Sequence, residues 1–168
     1  MIRFPRQISS EFFEYTYAGS IEDLRDTLEK VAARSKGFYV SPNLLVKLKP
    51  GNEFTVINKF ELGTFQRTPF DTSTSLKGYY FKNDLNSTQV NLLVTPHSMF
   101  PLLFLLLPVF FILTLFGDFT DSQKFPGFYP IIILAMLTAL VGLVFLSAFS
   151  KRRLLERFVN YMQLTKIA

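Results

Sequence analysis

Residues 99–116 read MFPLLFLLLPVFFILTLF, and residues 128–149 read FYPIIILAMLTALVGLVFLSAF. Neither run contains a charged side chain, over 18 and 22 residues respectively. As helices rising 1.5 Å per residue they extend about 27 and 33 Å, which matches a hydrocarbon core of about 30 Å. They predict a transmembrane helical hairpin, with spans at about 99–116 and 128–149 and a short polar loop between them. The rest of the chain is read outward from this pair. It divides into an N-terminal domain over residues 1–98, the hairpin over 99–149 and a basic tail over 150–168.

Inside the hairpin, Ser98 is placed to cap the first helix, and Pro101 falls in its first turn, where the missing N–H costs nothing. Pro108 lies near the middle of that span and predicts a kink. Phe119, Phe125 and Tyr129 surround the connecting loop as an interfacial aromatic belt. In the second span Ala135, Ala139 and Gly142 fall at i, i+4 and i+7, a strip of small residues against which another helix can pack closely. The polar residues of the spans include Thr114, Thr138 and Ser147, whose hydroxyls can bond their own helix carbonyls. With no intramembrane Asp, Glu, Arg or His, a proton relay or charged-substrate path is disfavoured and an anchor is the expectation.

The net charge of +5 is unevenly placed. Residues 1–98 carry 12 Lys/Arg against 10 Asp/Glu, whereas residues 150–168 carry five Lys/Arg against the single Glu156. Lys151, Arg152, Arg153 and Arg157 follow the second span directly, and such clusters mark the cytoplasmic side. Two spans then put both termini in the cytoplasm, and the opening MIRFPRQISSEFFEY, without an apolar run of signal-peptide length, agrees. In that topology Asn86-Ser87-Thr88 never meets the glycosylation machinery. The same four basic residues are the candidate contacts to lipid headgroups at the membrane surface, each charge contributing roughly 1 kcal/mol. They alternate with Leu154, Leu155, Phe158, Val159 and Met162, so the tail either extends the second helix or lies in the interface. Charge concentrated beside a span also argues against a nucleic-acid partner.

The N-terminal part reads as α+β. Residues 11–18 (EFFEYTYA) alternate as a strand, with Phe13, Tyr15 and Tyr17 on one face. Ser20 and Asp23 have capping-box spacing, and Ile21, Leu24, Leu28 and Val31 form one helical stripe that ends at Gly37. From Phe38 the period becomes two. Residues 44–49 and 54–60 predict a hairpin around Pro50-Gly51, where glycine accepts the positive φ of a type II turn. A short strand over 63–70 and a polar loop at 71–75 precede a second hairpin, 76–81 with 89–94. The expected fold is a small antiparallel sheet with one packed helix, followed by the two-helix transmembrane hairpin.

Chemistry is sparsely represented. The absence of cysteine removes disulfides, thiolate metal sites and cysteine nucleophiles, and His97 is the sole histidine. No Gly-rich phosphate loop, nucleophile elbow or metal-ligand spacing occurs, so no enzyme, cofactor or metal is expected. His97 reads as a solvated linker residue beside the membrane entry. Phe and Tyr side chains, Tyr79-Tyr80-Phe81 among them, are expected mainly in the core. The order of domain, hairpin and basic tail resembles that of many multi-pass proteins of the bacterial inner membrane. Three functions fit: a membrane-tethered interaction module binding a membrane-protein partner, a lipid-binding or lipid-sensing protein, and an oligomeric pore or transporter accessory subunit built from copies of the chain.

Overall fold

The computed structural model describes residues 9–34, 43–58, 74–84, 86–117 and 128–167. The expected strand over 63–70 and the loop between the two apolar helices lie outside these residues. The described elements are β1 (Glu11–Tyr17), α1 (Ile21–Arg34), β2 (Leu44–Lys49), β3 (Glu53–Asn58), β4 (Ser75–Asp84), β5 (Ser87–Thr95), α2 (Met99–Gly117), α3 (Phe128–Met162) and the two-residue β6 (Thr165–Lys166). The six strands form one sheet in the order β2-β3-β4-β5-β1-β6, and every neighbouring pair is antiparallel.

Local chemistry accounts for the register. Gly51 (φ +82°) supplies the left-handed turn residue expected after Pro50, and Asn52 (φ +61°) also adopts it, which brings Glu53 opposite Lys49. The β4–β5 hairpin is longer than its apolar alternation suggests, running to Asp84 opposite Ser87 through an irregularity between Lys82 and Asp84. At α1 the capping box is complete: Ser20 Oγ accepts from the Asp23 amide at 3.1 Å, and Asp23 Oδ2 accepts from the Ser20 amide at 3.1 Å. Its stripe of Leu24, Leu28 and Val31 is buried against the sheet.

Two helices cover this face of the sheet, where sequence periodicity predicts one. The second is the C-terminal part of α3. Leu154, Phe158 and Met162, at i, i+4 and i+8, are buried in the same core as Tyr15, Phe54, Val56, Leu76, Tyr80, Val90 and Leu92. Phe54 is central: its ring lies 5.4 Å from Phe158 and 6.2 Å from Tyr80. It occupies the space that a side chain at Gly78 would need, since a Cβ there would fall 2.0 Å from the ring. Glycine in mid-strand is thus explained by the ring packed over it.

The tail extends the second apolar helix and does not lie apart from it. The helix stops in a Schellman arrangement with Gln163 in the left-handed conformation (φ 53°), the Leu164 amide donating to Val159 O and the Gln163 amide to Asn160 O. Leu164 returns to the core, and Thr165–Lys166 add β6 to the edge of β1. Among the described residues one helix, Ile133–Met162, is long and apolar enough to cross a membrane, and α2 is apolar over Met99–Leu113. Large side chains such as Phe110, Leu113, Leu134 and Phe145 stand exposed along both. Pro108 sits within α2.

Candidate functional site

The end of the sheet from which the apolar helices leave is where the chain's scattered polar residues meet. β1 begins there with Glu11, β2 follows Asn43, β3 ends at Asn58, β4 follows Thr74, and β5 ends just before Pro96 and His97. α3 crosses this end and is fastened to three strands. Lys151 Nζ donates to the Glu11 carboxylate and, at 3.0 Å, to Ser9 O. The Ser150 and Thr74 hydroxyls share a hydrogen bond at 2.9 Å, and Arg157 Nη1 donates to Asn58 Oδ1 at 3.4 Å. Helical spacing separates the faces. Lys151, Leu154 and Phe158 point into the sheet, while Leu146, Phe149, Arg153 and Arg157 line a cavity.

The cavity encloses about 540 Å³ and has two unlike walls. That volume lies within the range of small-molecule sites, about 300–1,000 Å³. Asn43, Asn58, His97, Ser150, Arg153 and Arg157 form the polar wall, and Met99, Phe100, Leu103, Leu146 and Phe149 form the apolar one. The apolar wall comes from the first turns of α2 and the adjoining turns of α3, so it continues into the exposed apolar surface of both helices.

His97 is buried, contrary to the solvated linker that its sequence context suggests. Its Nδ1 accepts from the Met99 amide at 3.1 Å and its carbonyl accepts from the Phe100 amide at 3.0 Å. His97 thus satisfies two amides at the start of α2, beside the Ser98 that the sequence assigns to the cap. A neutral ring accepting at Nδ1 carries its proton on Nε2. The imidazole also packs edge-on to Phe100, with centroids 6.0 Å apart.

The two cavity arginines have no carboxylate partner among the described residues. Burial, and then the neighbouring Arg153 charge, lower the proton affinity of Arg157 from its ordinary value. The Arg153 guanidinium sits 5.8 Å from the centroid of the Phe149 ring. What the arrangement can do is hold an anion whose remaining surface is apolar.

The four basic residues singled out from the sequence thus have three environments. Lys151 is buried in its ion pair with Glu11. Arg152 is exposed and bonded to Glu156 Oε1 at 2.6 Å, and only Arg153 and Arg157 reach the cavity. Ala135 and Ala139 are exposed, and a Cβ at Gly142 would meet nothing within 4 Å, so the described residues leave this strip open. Asn43, Asn58 and His97 carry no motif, and their convergence depends on sheet order. No family model, curated protein or solved structure matches the chain.

Proposed function

We propose that the protein is a two-span integral membrane protein of the bacterial inner membrane that binds an anionic lipid where its sheet domain meets the bilayer. The observation that carries this reading is the two-walled cavity, with its pair of arginines on one side and side chains of both apolar helices on the other. The membrane placement draws support from the exposed Phe and Leu side chains of α2 and α3, an apolar surface too extensive to be left to water. The basic residues at the domain end of α3 favour a cytoplasmic position for that domain and both termini. Because the chain is free of cysteine, single introduced thiols report the topology. Ser87→Cys is expected to react with an impermeant thiol reagent only from the cytoplasmic side, and Ser122→Cys only from the other. Labelling of both from one side ends the two-span reading.

Native mass spectrometry of the gently extracted protein tests the binding. A stoichiometric anionic lipid is expected on the wild type. Each charge-assisted hydrogen bond contributes about 1.5–3 kcal/mol, so Arg153→Ala with Arg157→Ala should weaken retention by about a hundredfold or more. Arg152→Ala, which alters the exposed pair with Glu156, should leave it unchanged. An equal loss in Arg152→Ala would reduce the site to diffuse surface charge. The same spectra test the interaction-module reading, which the exposed Phe12, Tyr79 and Leu93 of the opposite sheet face favour. A co-purifying polypeptide in place of lipid would select it.

A further inference from the structure

The polar wall of the junction cavity is rich in donors. Two guanidiniums carry fixed positive charge, and Asn58, already accepting from Arg157 through Oδ1, has its amide N–H groups to offer. His97 accepts at Nδ1, which leaves Nε2–H as its donor. Among the described lining residues there is no carboxylate. The ring of Phe149 is engaged by Arg153. A zwitterionic headgroup, whose ammonium would gain from a carboxylate, finds none among the described lining residues. The burial and mutual repulsion that act on Arg157 are relieved most by a ligand bearing more than one negative charge.

A phosphate monoester has that charge, about −1.5 to −2 at neutral pH, together with three terminal oxygens. Two guanidinium forks can each bind bidentately only when enough oxygens are presented. A phosphodiester presents two unesterified oxygens and a single charge, so the forks must share them. On the other side, Met99, Phe100, Leu103, Leu146 and Phe149 require the phosphate to be attached to an apolar body.

We propose that the cavity is a recognition site for a lipid phosphate monoester, its phosphate held between Arg153 and Arg157 and its chain lying against the first turns of α2. The proposal rests on the lipid-binding reading above and sharpens it to one headgroup class. The donor set, not net attraction to an anionic surface, makes the selection. It therefore predicts discrimination between lipids that are both anionic.

The test uses the full chain in nanodiscs of phosphatidylcholine doped with equal small fractions of phosphatidic acid, a monoester, or phosphatidylglycerol, a diester. Phosphatidic acid is expected to bind about tenfold more tightly, the ratio that one additional charge-assisted hydrogen bond provides. Arg157→Lys keeps the charge but loses the fork, so it should retain binding of both lipids while bringing their ratio near one. Equal affinity of the wild-type protein for the two lipids, both weakened by Arg153→Ala, overturns the monoester assignment and leaves the lipid reading standing. Failure to bind either lipid sinks both. Displacement of phosphatidic acid by inorganic phosphate at comparable concentration overturns the assignment to a lipid, because the chain would then contribute nothing.

Discussion

Glu11→Ala is expected to destabilise the sheet domain by about 3 kcal/mol or more, the cost of stripping a buried charge of its partner. The side chain left behind is Lys151, only 5% exposed, whose ammonium would keep the Ser9 carbonyl but lose the Glu11 carboxylate. The reverse substitution should cost less. Lys151→Ala breaks the same pair from the other side, and the Glu11 carboxylate is 22% exposed, enough for water to reach it. Removing both charges in Glu11→Leu with Lys151→Met should fall below either single change, since the pair's attraction largely offsets its own desolvation. Hydrogen exchange of the β1 and β5 amides in the full-length, detergent-solubilised protein reads all three. If Glu11→Ala costs under about 1 kcal/mol, the pair is solvated and behaves like a surface salt bridge.

That ion pair also marks where sequence reasoning stops. The pattern of Lys151, Arg152, Arg153 and Arg157 reads in sequence as a helix end beside a membrane, and it cannot sort the four. Their environments follow from helix phase relative to a sheet. Residue 151 shares the face of Leu154 and Phe158, residue 152 lies beside Glu156, and residues 153 and 157 continue the face of Leu146 and Phe149. The phase was legible, but nothing in one dimension says which face meets the sheet. Glu11 is equally opaque. It begins a strand whose apolar alternation marks Tyr15 as inward-facing, and it shares that face opposite Val94. A charged residue on the core face is tolerated because Lys151 arrives from 140 residues away.

Features written into neighbouring residues were legible. The α1 cap, its apolar stripe and the Pro50-Gly51 turn all depend on contacts within a few positions, and each forms as expected. The cavity depends instead on Asn43, Asn58 and His97 being brought to one end of the sheet by the order β2-β3-β4-β5. Each is an ordinary loop or strand-end residue in sequence. His97 illustrates the loss: flanked by Pro96 and Ser98 it looks solvated, yet it is buried against Phe100 at the start of α2, where its ring accepts from the Met99 amide. The core role of α3 was hidden for a related reason. A basic amphipathic tail after a span satisfies a bilayer interface as well as it satisfies a sheet.

Phe158→Ala separates those two destinations energetically. The side chain is 1% exposed, and its loss should cost about 3–5 kcal/mol, the range for deleting a buried aromatic. Part of that cost is the packing with Phe54, a geometry contributing about 0.5–1.5 kcal/mol beyond the area buried. Phe54 cannot follow the vacated space without uncovering Gly78, so the cavity should persist rather than collapse. Hydrogen exchange should show lost protection in β3 and β4 while the apolar turns of α3 remain protected, because their surroundings are unchanged. Phe158→Leu, which keeps most of the volume, should recover the greater part of the stability. Lipid retention should fall in Phe158→Ala even though Phe158 does not line the cavity, since the neighbouring Arg157 is held by the docking of this helix against Asn58. If protection is lost along the whole of α3 together, the helix opens as one unit. The sheet would then stabilise the apolar turns as well as the tail.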